Sequence, residues 1–117
     1  MKDDFKHFLP LSPAILHILL ALSAEDLHGY AIMQEIARQS SGSYKLGPGT
    51  LYDNLEKLLE QDFVRELPRK PGQDDPRRRY YRLTGTGKRL LATELERLEA
   101  VVHEGREQLR LKPRRAT

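Results

Sequence analysis

Apolar residues recur at helical spacing through the first half of the chain, and the period then changes. Ser12 is placed to cap a first helix with Pro13 at its first position, and the pattern runs to about Ser23. Ile15, Leu16, Ile18, Leu19, Leu20 and Leu22 cover most of its circumference, so this helix must be buried on several sides. In so short a chain, that hints at a second subunit covering the far side. A second helix follows the turn AED, from about His28 to Ser40. Ile32, Met33, Ile36 and Ala37 form its inward stripe, and Gln34, Glu35 and Arg38 face water. After the turn SSGSYKLGPG, a third helix is started by Pro48 or capped by Thr50. Leu51, Leu55, Leu58 and Leu59 lie on one side of it, opposite Thr50, Asp53, Lys57 and Gln61, with Asn54 at their margin.

Beyond Asp62 the spacing shortens. Val64 to Leu67 and Arg78 to Leu83 read as two strands joined by a Pro/Gly/Asp turn region, with Tyr80 and Tyr81 pointing to opposite faces. From Thr84 the helical period returns. Leu91, Leu95, Leu98, Val102, Gly105 and Leu109 are spaced by alternating fours and threes, widened by Leu90, Ala100 and Val101. A seam of about three heptads favours a long helix that packs on helices, including those of a partner subunit. Packing on its own domain alone is the other reading.

Three helices followed at once by a hairpin give a mainly α, winged helix-turn-helix architecture with a long C-terminal dimerisation helix. The expected organisation is a leader over 1–11, a winged-helix domain over 12–83, the last helix over 84–111 and a disordered basic tail over 112–117. One face of the third helix packs inward, and the other offers small and polar groups that can approach a DNA edge.

With 117 residues, 38% hydrophobic and 32% charged, the chain has room for one domain and a modest core. There is no cysteine, hence no disulfide and no thiolate metal site, which fits a reducing cytoplasm. The longest apolar stretch, Pro13 to Leu22, is interrupted by His17 and too short to span a bilayer, and no signal peptide precedes it. Net charge is only +3, but its distribution matters more than its sum. Phe63 to Leu83 holds seven basic and three acidic residues, a net of +4. Pro48 to Asp62 holds one basic and four acidic residues, a net of −3. The wing, not the third helix, is therefore the electropositive element, the footprint of a polyanion partner or of a solvated charged hairpin.

No catalytic or metal constellation stands out. Carboxylates are scattered over positions expected to face solvent. His7, His17, His28 and His103 lack metal-ligand spacing, and LGPG lacks the continuation of a phosphate-binding loop. His28 reads as a turn or capping residue, and His17 as a hydrogen-bonded core histidine. No enzyme activity and no cofactor are expected.

The segments LSPAILHILLAL, HGYAIMQEI, GPGTLYDNLEKLLEQDFV and RRRYYRLTGTGKRLL together resemble the PadR family of winged-helix transcription regulators. The resemblance implies a homodimer whose C-terminal helix crosses onto the partner's N-terminal region, and repression at a roughly palindromic operator. It assigns Thr50 and Tyr52 to the DNA-facing start of the third helix, the tyrosine meeting a phosphate unless it only caps the core edge. Asn54 and Lys57 become groove-facing positions, and Arg69, Lys70, Arg77, Arg78 and Arg79 the wing-tip contacts. Asp53 departs from the family pattern, since a carboxylate there repels phosphate and suits the amino group of cytosine or an intramolecular partner. The dimer contacts are Leu91, Leu95, Leu98, Val102 and Leu109. A small lipophilic or aromatic effector near the dimer interface is also implied, although this chain lacks tryptophan to stack it. A winged-helix module that binds protein rather than DNA is the alternative, supported by the acidic third helix.

Overall fold

The computed structural model describes residues 4–68 and 78–112. Its elements run α1 (Pro13–Leu22), β1 (Leu27–His28), α2 (Gly29–Gln39), α3 (Pro48–Glu60), β2 (Val64–Glu66), β3 (Tyr80–Leu83) and α4 (Gly85–Leu109). The three strands form an antiparallel sheet in the order β1-β3-β2, with Leu27 opposite Tyr81 and Val64 opposite Leu83. The molecule is thus the expected mainly helical winged helix, with one additional strand.

That strand, β1, has two residues, too few for an alternating pattern to show in the sequence. It is held from outside by Asp26, whose carboxylate accepts from Arg82 Nε and Nη2 at 3.0 and 2.8 Å. The expected strands are also shorter than their patterns. The strands cover Val64–Glu66 and Tyr80–Leu83, with the Leu67 amide still donating to the Tyr80 carbonyl at 2.8 Å and Arg78 and Arg79 outside them.

Capping decides the helix starts. Ser12 Oγ accepts from the Ile15 amide at 3.2 Å, with Pro13 behind it. The α3 start differs from one of the two expected routes. Gly47 is the cap, no side chain bonds there, and Thr50 lies inside the first turn. Proline's fixed φ suffices to begin the helix. Thr84 caps α4 twice over, accepting from Gly87 N at 3.0 Å while donating to Asp62 O at 2.7 Å. Gly87 then packs so tightly that a Cβ would sit 2.1 Å from the Phe63 carbonyl oxygen.

The core is the meeting of Ile18, Leu19 and Leu22 of α1 with Ile32 and Ile36, Leu51, Leu55 and Leu58, Val64, Tyr81, Leu83, Leu90 and Leu91. The leader joins it. Phe5 and Phe8 pack edge-on against Phe63 at 6.1 and 5.0 Å. Three expectations are corrected here. Leu91 is 6% exposed and belongs to this core, so it is not available to a partner subunit. His17 has no hydrogen bond among the described residues. Its Nδ1 is buried without a partner, and the ring stacks on Tyr44 at 4.5 Å and 15°. Not every carboxylate faces solvent either. Glu94 is 1% exposed, accepting from the Leu11 amide at 2.8 Å and from Arg97 Nε at 2.5 Å. Those donors, Arg97 first and then Leu11, hold its carboxyl below the usual carboxylate range.

Beyond Leu98, α4 leaves the domain. Val101, Val102 and Leu109 are exposed, as is Leu95 one turn earlier, and Leu98 is half-buried. No helix among the described residues is long and apolar enough to cross a membrane.

Candidate nucleic-acid interface

The start of α2, one flank of α3 and the lead-in to β3 converge on a pocket of about 350 Å³ lined by His28, Gly29, Tyr30, Tyr52, Arg78, Arg79 and Tyr81. Tyr52 reaches it because α3 crosses the first turn of α2. A Cβ on Gly29 would lie 2.2 Å from the Tyr52 hydroxyl, so only glycine lets the ring settle there. Tyr52 itself stays half-exposed. Arg79 makes a long contact of 3.8 Å with Glu66, both ends open to water. Arg78 has no ion-pair partner among the described residues. Such pairs hold little energy and leave the cations free to exchange partners.

His28 has the capping role expected of it. Its Nδ1 accepts from the Ala31 amide at 3.2 Å, and its ring stands edge-on to Tyr80 at 5.3 Å. Burial, then the Arg78 charge, pushes its pKa below the ordinary histidine value, so it stays neutral near pH 7.

The remaining sequence-derived positions do not share this pocket. Thr50 is exposed in the first turn of α3, while Asn54 is half-buried and donates to the Thr50 carbonyl at 2.8 Å. Lys57 projects five residues beyond Tyr52, roughly 140° around the helix. It lines a different cavity of about 390 Å³ with His7, Phe8, Ile15, Leu58, Phe63 and Leu90. Asp53 is exposed and has no ion-pair partner among the described residues. Arg69, Lys70 and Arg77 lie outside the described residues. Sequence reasoning missed Tyr30, 61% exposed at the start of α2, and missed that His28 and Gly29 form a wall of the pocket. The signal was HGY, whose glycine and two hydrogen-bonding neighbours are more than a helix start needs.

Among the described residues, no group of three or more metal-ligating side chains is gathered closely enough to hold an ion. What the arrangement offers instead is a row of hydrogen-bond donors and cations beside a helix on which Thr50, Tyr52, Asp53, Glu56 and Lys57 are exposed. Residues 15–93 match the profile of the transcriptional regulator PadR-like family. The chain belongs to that family. PadR-like proteins are transcriptional regulators rather than enzymes. The chain is 33% identical over 89 residues to transcriptional regulator Rv3488 of Mycobacterium tuberculosis, covering 76% of this chain and 78% of that protein. It is 42% identical over 77 residues to an uncharacterised 37.1 kDa protein in transposon TN4556 of Streptomyces fradiae, but spans 20% of that protein's length. A PadR family transcription regulator from Clostridium difficile superposes with a TM-score of 0.69 at 21% identity, over 84% of this chain and 98% of that one. Bacillus subtilis PadR, solved in complex with operator DNA, superposes with a TM-score of 0.63 at 24% identity, over 74% of this chain and 48% of that one.

Proposed function

We propose that this PadR-like chain is a sequence-specific DNA-binding repressor that acts in the cytoplasm, as a homodimer, on a palindromic operator. The observation that carries the reading is the convergence of Tyr52, Arg78 and Arg79 beside the exposed Thr50 and Asp53 of α3. Arg78 and Arg79 supply phosphate contacts, with Arg69, Lys70 and Arg77 extending the basic wing. The outer face of α3, with Thr50, Asp53, Asn54 and Lys57, supplies discrimination. Asn54 keeps its amide oxygen and one N–H for a base edge after bonding Thr50. Asp53, without an ion-pair partner among the described residues, suits the amino group of cytosine. The projecting part of α4 supports the dimer, with Leu95, Leu98, Val102 and Leu109 as its contacts. A small lipophilic or aromatic effector is the further partner, and the apolar cavity beside Lys57 has a size suited to one.

A protein-binding role is the competing reading, favoured by the exposed carboxylates Asp53, Glu56 and Glu60 along α3. Selection of genomic fragments on the purified protein, followed by gel-shift of the recovered sequence and its scrambled version, separates the two. Enrichment of one inverted repeat, bound by two chains per duplex, is expected. If no fragment is enriched and both duplexes migrate freely, the DNA-binding reading is wrong.

A further inference from the structure

Tyr81 is 4% exposed and lines the pocket at the start of α2, yet no hydrogen bond satisfies its hydroxyl among the described residues. A buried phenol usually finds a partner. Here the hydroxyl opens into a concave space shared with the Tyr52 hydroxyl, which is likewise without a hydrogen-bond partner among the described residues. His28 adds a third donor. Because Nδ1 accepts the Ala31 amide, the proton of the neutral ring must sit on Nε2. Arg78 adds a cation with no competing carboxylate among the described residues. None of the seven lining residues is acidic. Among the described residues, Glu66 is the carboxylate that bears on this region, meeting Arg79 at 3.8 Å.

From this lining of donors without a carboxylate we infer that the pocket is an anion seat for one DNA backbone phosphodiester, held by His28, Tyr52, Tyr81 and Arg78. The inference rests on the DNA-binding reading and deepens it by adding His28 and Tyr81 to the contact set. Four groups able to donate, with no carboxylate among the lining side chains, match the unesterified oxygens of a phosphodiester, which only accept. A base edge presents donors and acceptors together and fits this lining less well. Burial first, then Glu66 and Tyr52, raises the Tyr81 pKa above the ordinary tyrosine value, which keeps the phenol a donor. Because the seat reads backbone, it contributes affinity to any duplex and fixes how α3 enters the groove.

The test uses His28→Asp, since aspartate is a favoured N-cap and can accept the Ala31 amide in histidine's place. The variant keeps the start of α2 but replaces a donor in the seat by an anion. Binding should weaken roughly tenfold or more, by a similar factor on the selected operator and on scrambled duplex, because the hydrogen bond removed is a charge-assisted one to the backbone. The thermal midpoint should hold. Single methylphosphonate substitutions along the operator then locate the contact. Wild type should lose affinity when one linkage per half-site is neutralised, and His28→Asp should regain affinity at that same linkage. Tyr81→Phe, which keeps the buried ring, should blunt the wild-type loss at that linkage. Free inorganic phosphate at millimolar concentration should compete weakly and equally on all duplexes. If it instead saturates the pocket and leaves DNA binding unchanged, the seat serves a free anion. Should His28→Asp bind like wild type, or lose affinity that no neutral linkage restores, the seat is not a phosphodiester site. If wild type itself binds no duplex, the DNA-binding reading falls, and this inference with it.

Discussion

Glu94 is the residue whose environment departs furthest from its chemistry. A carboxylate 1% exposed on a long helix joins the leader to α4 by accepting the Leu11 amide, while Arg97 covers its other side. Glu94→Ala would leave that amide and the guanidinium unanswered, so we expect a loss of about 1.5–3 kcal/mol in urea unfolding at pH 7. Since its folded pKa is depressed, the ionised form stabilises fully above the ordinary carboxylate range, and that contribution disappears as pH falls through the folded value. Glu94→Gln should therefore be less stable than wild type at neutral pH, with the gap closing under acid. A gap of constant size across that titration would show that the charge contributes nothing. Gly87 gives the sharpest steric prediction. Alanine there meets backbone, the Phe63 carbonyl, which cannot swing aside as a side chain could. Gly87→Ala should lower the thermal midpoint despite alanine's better helix propensity, and an unchanged or raised midpoint would contradict the close approach. Neither residue was legible beforehand, because burial of one glutamate among many, or contact at one glycine, depends on how helices cross.

At the scale of elements, the proposed function has α3 and the wing divide the DNA contacts by charge. Replacing Arg78 and Arg79 by alanine should weaken operator and scrambled duplex together. The salt slope should flatten by about 0.9 for each phosphate no longer neutralised. Asn54→Ala should cost on the order of 1–3 kcal/mol on the operator and much less on scrambled DNA. Asp53→Ala should tighten non-specific binding. Isotherms at several salt concentrations on both duplexes decide among these, and equal losses on both DNAs for Asn54→Ala would remove it from base reading. The order of elements was readable because helical and strand periods alternate cleanly between Ser12 and Leu109. What escaped had no period to show: β1 is two residues paired to a strand some fifty residues later, and the cap of α3 is a backbone matter at Gly47. The site was half legible for the same reason. The arginines announce themselves by charge and Tyr52 through the family resemblance, whereas His28, Tyr30 and Tyr81 join them only when α2, α3 and β3 are brought together.

As a whole, the molecule is more extended than its length requires. Its radius of gyration is 16.2 Å, against about 13 Å for a compact domain of ~100 residues. The excess comes from α4, whose 25 residues reach roughly 37 Å at 1.5 Å per residue. Only its first half packs on the domain. Leu95, Val101, Val102 and Leu109 on the remainder are 38–70% exposed, an apolar stripe that a lone helix in water has no reason to keep. Gly105 sits in that stretch with open space around its missing Cβ, and the helix runs through it without a break. Gly105→Ala should therefore raise stability by about 1 kcal/mol, unless a partner's backbone approaches there, in which case the midpoint falls. The decisive variant is Val102→Lys combined with Leu109→Lys. Both positions are solvent-exposed in the single chain, so the domain should fold as before, with an unchanged circular dichroism spectrum. Light scattering should nonetheless report a monomer, and operator affinity should drop towards that for scrambled duplex, because one half-site is then bound at a time. Leu91→Lys serves as the contrast, since it buries a charge in the core and should unfold the domain instead. If the double variant scatters as a dimer and binds its operator normally, the far half of α4 is not where two copies meet, and the exposed stripe needs a different occupant.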